Sequence, residues 1–183
     1  MNPANELKTW QQKAQAQTEL LLAHFLPSES QVPHTLHEAM RYVTLGGGKR
    51  LRPLLVLAAS KLGDADQNAV EQAMAAIEMV HVYSLVHDDM PAMDNDSLRR
   101  GKPTCHVKYD EATALLVGDA LQTQAFDVLS RPTGLPAERQ IAMLSTLAKA
   151  SGSLGMAGGQ AIDLANVGKA MNQAQLKQMH SLK

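Results

Sequence analysis

Asp88, Asp89, Asp94, Asp96, Arg99 and Arg100 crowd one short stretch of the chain. Carboxylates at that density repel one another unless a cation neutralises them. Oxygen ligands without nearby cysteines suit a hard ion, and Mg²⁺ is the natural choice, because it keeps waters and bridges to substrate phosphates. A solvated acidic helix end is the competing reading, and the two arginines just downstream weigh against it. A second cluster, Gly46-Gly47-Gly48 followed by Lys49, Arg50, Leu51 and Arg52, carries the opposite charge. Glycines admit close approach of backbone N–H groups to an anion. A helix start favours negative charge, and Lys49 and Arg52 add a point charge and a bidentate fork. A phosphate or diphosphate fits that cluster, and so does a flexible loop beside a solvated basic turn. Glycine spacing alone does not decide between them.

The acids need a helix to hold them. Val70, Met74, Ile77, His81, Ser84 and Asp88 recur at alternating spacings of four and three, which marks a single helical face that begins apolar and ends ionic. His81 and Asp88 are then only ~20° out of line and ~10 Å apart along the axis, close enough to share a cleft. Asp94 is rotated roughly 120° from Asp88 on an ideal helix, so the helix must break between them. Pro91, without an N–H and with a ring that clashes in the preceding turn, is placed to break it.

The elements on either side are also helical in pattern. Pro3 to Phe25 carries an imperfect apolar stripe, and residues 27–33 form a connector. Leu36, Met40 and Val43 suggest a short helix that ends at the glycines. Pro53 at a first helical position and Gly63 past the end frame an apolar helix over Leu54 to Leu62. The chain turns at Gly101-Lys102-Pro103, and Asp110 to Leu129 reads as a helix whose central Gly118 implies a close helical neighbour. Ala137 to Ala150 and Gln173 to Lys183 are further helices. Between them Gln160 and Asp163 are neighbours on a helix surface, a pair that by itself is solvated or a local cap. No stretch alternates with period two. An all-α helical bundle follows.

At 183 residues with 45% hydrophobic content the chain can bury one sizeable core, and aromatics at 3% leave Leu, Ala, Val and Met to fill it. A net charge of −1 gives no general attraction to nucleic acid or anionic membrane. Cys105 is the single cysteine, which excludes an intrachain disulfide framework. With no signal-like start and no run of about 18 apolar residues, the expectation is a cytoplasmic protein without an integral membrane segment.

Five motifs stand in order: 47-GGKRLRP-53, 81-HVYSLVHDDMPAMD-94, 98-LRRG-101, 118-GDAL-121 and 159-GQAIDL-164. Together they resemble the trans-isoprenyl diphosphate synthase family, nearest its short-chain bacterial farnesyl and geranyl diphosphate synthases. The resemblance implies the isoprenoid-synthase bundle and a homodimer. It also implies head-to-tail condensation of isopentenyl diphosphate with dimethylallyl or geranyl diphosphate through an allylic cation. By the same resemblance Asp88 and Asp94 would hold Mg²⁺ with Asp89 in support. Lys49, Arg52, His81 and Arg100 would bind isopentenyl diphosphate, while Arg99 and Lys183 would contact the allylic diphosphate. Tyr83, an aromatic five residues before Asp88, would limit the product to C15 with some C10. A noncatalytic partner subunit of a heteromeric synthase and a geranylgeranyl diphosphate synthase are the alternatives; retention of the acids speaks against the first. The family's second aspartate-rich motif lies beyond Lys183. The expectation is therefore a single isoprenoid-synthase domain of which residues 1–183 are the N-terminal portion, incompletely packed and inactive in isolation.

Overall fold

The computed structural model describes residues 3–183, and the chain divides after Leu135 into two compact units. The first unit is built on α4 (Gln67–Asp88), which starts where the Asp66 side chain accepts the Ala69 N–H at 2.9 Å. Around it stand α1 (Pro3–Phe25), α2 (His34–Thr44), α3 (Leu51–Ser60) and α6 (Glu111–Ser130), of which α6 makes the most extensive contact. Met74, Ala75, Ala76 and Met79 of α4, and Ala114, Val117, Leu121, Ala125 and Val128 of α6, are fully buried. Each buried Met, Leu or Val contributes about 1.5–3 kcal/mol by leaving water. The near absence of aromatics is thus met by Met, Leu, Val and Ala.

Along the second half of α4, Ile77, His81, Ser84 and Asp88 are half-buried, whereas Val80, Val82, Tyr83 and Val86 are buried. The face chosen by periodicity is therefore buried at Val70 and Met74 and becomes partly exposed from Ile77 onward. Gly118 explains how close α6 comes: a Cβ there would lie 2.0 Å from Nε2 of His87. The same imidazole nitrogen lies 3.1 Å from the Leu115 carbonyl oxygen, so a methyl group at Gly118 would drive the ring off that partner.

Two expectations need correction. Helix α3 begins at Leu51, two residues before Pro53, and ends at Ser60. Its first intrahelical bond is Leu54 N–H to the Arg50 carbonyl at 3.1 Å, so Pro53 falls in the first turn, where no N–H is required. The turn near Gly101 is a minimal hairpin. Strands β1 (Leu98–Arg99) and β2 (Lys102–Pro103) pair antiparallel, and the two turn residues Arg100 (φ 53°) and Gly101 (φ 77°) both have the positive φ that tight hairpin turns demand. Two-residue strands are too short to register as alternation. A single helical turn, α5 (Cys105–Lys108), follows. Burial pushes the Cys105 thiol up to about 12, which leaves it inert at neutral pH.

The second unit consists of α7 (Ala137–Ser151), α8 (Met156–Ala165) and α9 (Gln173–Leu182). Asn172 and Gln175 form a reciprocal capping box that starts α9. Gly159 of α8 lies under the end of that segment, where a Cβ would meet the Lys183 backbone nitrogen at 2.7 Å.

Candidate active site

Helix α4 stops at Asp88, three residues before Pro91, and the chain folds back on itself at once. The Asp94 N–H donates to the Asp88 carbonyl at 2.8 Å, and the Asp96 N–H donates to the Asp89 carbonyl at 3.1 Å. Residues 90–93 therefore bulge outward and return Asp94 beside Asp88, the reunion that an unbroken helix forbids. Asn95, at φ 54°, completes the reversal. Asp89 has a different task. It is 3% exposed, and Arg99 grips both its oxygens, through Nε at 3.0 and 2.7 Å and through Nη2 at 2.5 Å. That contact holds the Arg99 guanidinium above its ordinary pKa and fixes the hairpin to the end of α4.

The hairpin carries Arg100 back over the glycine loop. Arg100 Nη1 donates to the Gly47 carbonyl at 2.6 Å, and a Cβ on Gly48 would come within 2.7 Å of the same nitrogen. Gly48 also sits at φ 116°, so this position serves both close approach and backbone freedom. On the other side of the loop, Gln15 of α1 donates to the Lys49 carbonyl at 2.9 Å, and the side chains of Lys49 and Arg52 lie at the surface.

His81 reports how these cations converge. Burial first, then the guanidinium groups of Arg52, Arg100, Arg99 and Arg50, hold its imidazole down at about 4 instead of 6.5. The ring is therefore neutral at pH 7. Because the unfolded chain protonates near 6.5, stability linked to His81 is complete above that pH and is lost as the pH falls towards 4.

Tyr83 is 9% exposed and lies at the seam with α6, edge-on to the His87 ring at 5.9 Å. Burial raises its hydroxyl pKa, Gln122 hydrogen-bonds it, and the Asp88 charge reaches it. Lys183 belongs to the second unit, where its Nζ pairs with the Asp163 carboxylate. Among the described residues no group of three or more His, Cys, Asp and Glu side chains is gathered as a metal cage, and no helix is long and apolar enough to cross a membrane.

Sequence reasoning gave Arg50 no role. It is 2% exposed, stands at φ 49° ahead of α3, and pairs with Glu78 at 2.9 Å and Glu19 at 2.5 Å. The available signal was Glu78 itself, a lone carboxylate within the apolar run from Met74 to Val86.

A helical bundle whose central helix ends in paired acids, facing a loop of glycines and guanidinium groups, is the isoprenoid-synthase architecture. Residues 33–183 match the model of the Polyprenyl synthetase family, and the chain belongs to that family. It is 52% identical over 146 residues to farnesyl diphosphate synthase of Escherichia coli, covering 78% of this chain and 48% of that protein. With farnesyl diphosphate synthase of Haemophilus influenzae it shares 48% over 145 residues, 79% of this chain and 49% of the relative. The apo crystal structure of an FPP/GFPP synthase from Zymomonas mobilis superposes with a TM-score of 0.91 at 46% identity, covering 98% of this chain and 66% of that one. The chain thus spans about half the length of these two curated relatives.

Proposed function

We propose that this chain supplies the first part of the active site of a short-chain prenyltransferase, a single-domain farnesyl diphosphate synthase that joins isopentenyl diphosphate to dimethylallyl or geranyl diphosphate. One observation carries the reading: α4 carries His81, kept neutral by burial and by the charges of Arg52, Arg100 and Arg99, and ends where the backbone returns Asp94 to Asp88. Guanidinium groups next to carboxylates suit a site that takes a diphosphate and a divalent ion together.

In this reading Lys49, Arg52, His81 and Arg100 hold the diphosphate of isopentenyl diphosphate, and Arg99, braced by Asp89, faces the allylic diphosphate. The donor set fits Mg²⁺: Asp88 and Asp94 offer oxygen alone, and two carboxylates suit an ion that takes its remaining ligands from water and phosphate. When bound, the ion would stabilise negative charge on the departing diphosphate. The guanidinium of Arg99 shares that work. The double bond of isopentenyl diphosphate then attacks the allylic carbon, and the released diphosphate takes the proton lost from the adduct. His81, held neutral, keeps to binding. The Tyr83 hydroxyl stays un-ionised, and its ring forms the floor that ends chain growth. A homodimer and a cytoplasmic location are part of the proposal on family membership alone.

The His81 imidazole tests the binding half directly. By proton NMR of the full-length protein its titration should lie near 4 without ligand. Addition of isopentenyl diphosphate should move it upward, because an anion among the arginines offsets the charges that depress it. A His81 titration that ignores millimolar isopentenyl diphosphate would remove this residue from the site.

A further inference from the structure

We propose that Arg50 is a positioning residue that aligns the three parts of the isopentenyl diphosphate site before ligand arrives; the proposal rests on the assignment of that site to Lys49, Arg52 and His81. One buried guanidinium makes four hydrogen bonds to three acceptors, one on each of three helices. Its Nε and Nη2 donate to Glu19 Oε1 of α1 at 2.8 and 2.5 Å, Nη2 donates to the Thr44 carbonyl at the end of α2 at 2.6 Å, and Nη1 donates to Glu78 Oε1 of α4 at 2.9 Å. The other oxygen of Glu19 accepts the Gly46 N–H at 3.1 Å. The first glycine of the loop and the residue that ends the loop are thus fastened to the same carboxylate.

Position along the chain gives this knot its purpose. Arg50 lies directly after Lys49 and two residues before Arg52, and Glu78 lies three residues, less than one helical turn, before His81. The Arg50–Glu78 pair therefore fixes the register of the basic loop against the helix that carries His81. Left-handed backbone at Arg50 (φ 49°) sends its side chain inward between Lys49 and Arg52, whose side chains are exposed. A non-glycine residue is strained there, and the buried pairs are what maintain it. Planar donors in fixed directions are required. A lysine, one point charge, cannot serve acceptors on α1, α2 and α4 at once.

The test uses the full-length enzyme and steady-state kinetics with each substrate varied in turn. Arg50→Lys should raise KM for isopentenyl diphosphate about tenfold while KM for the allylic substrate and kcat change less than about threefold, since only one diphosphate cradle loses its register. The triple variant Arg50→Met, Glu19→Gln, Glu78→Gln leaves no buried charge unpaired in this knot and should give the same split. Unchanged kinetics, or both KM values and kcat worsening together, would overturn the positioning role, because general loosening does not choose one substrate. Lys49→Ala and Arg52→Ala serve as the control arm. If they raise KM for isopentenyl diphosphate and the Arg50 variants do not, the positioning role alone fails; if they too leave it unchanged, the site assignment falls and the proposal with it.

Discussion

Asp88→Ala is expected to lower turnover of the full-length enzyme by about 100- to 1000-fold, the scale on which removal of one preorganised electrostatic group acts. The fold should scarcely notice. The Asp88 carbonyl, which accepts the Asp94 N–H, is backbone and survives the substitution, so the bulge over residues 90–93 keeps its closure. The side chain stands half-exposed at the last residue of α4, where alanine costs no core packing. Far-ultraviolet circular dichroism should therefore match the parent while Mg²⁺-dependent turnover collapses. Near-normal turnover would return Asp88 to the status of a solvated helix end.

Tyr83→Ala is expected to lengthen the product by at least one isoprene unit, from C15 to C20. On the proposed function an elongating chain would run from a diphosphate near Asp88 down between the helices, and Tyr83 sits on the α6 side of α4 with Gln122 and the His87 ring against it. Truncation removes roughly the volume of a ring. The surrounding structure closes such gaps only in part, because His87 is itself seated on Gly118 and the Leu115 carbonyl. Chromatography of the extracted alcohols decides it: an unchanged C15 limit would place the floor elsewhere, with α6 the next candidate.

Helices α4 and α6 were legible as helical stretches, and local signals set their starts. Asp66 and Asp110 cap α4 and α6 through their own side chains, accepting N–H groups three residues on. The return of Asp94 to Asp88 was legible too, since geometry forbids it on a helix and Pro91 supplies the break. What escaped depends on long-range partners. The start of α3 is displaced by two residues because Arg50, 31 residues from Glu19 and 28 from Glu78, is drawn into the interior by acids that no local window contains. The hairpin over Leu98–Pro103 offered only two residues per strand, yet it is what aims Arg99 at Asp89 and Arg100 at the glycine loop. Motif spacing gathered the right arginines and could not give the left-handed pair at Arg100 and Gly101 that directs them.

The condensation itself is the most direct measurement. Full-length protein is incubated with labelled isopentenyl diphosphate and geranyl diphosphate, with Mg²⁺ and with excess chelator, and the products are sized after dephosphorylation. The expected result is a labelled C15 prenyl product that requires the divalent ion. Absence of any labelled prenyl product, or its undiminished formation in chelator, would contradict a metal-assisted prenyl condensation on the α4 stripe.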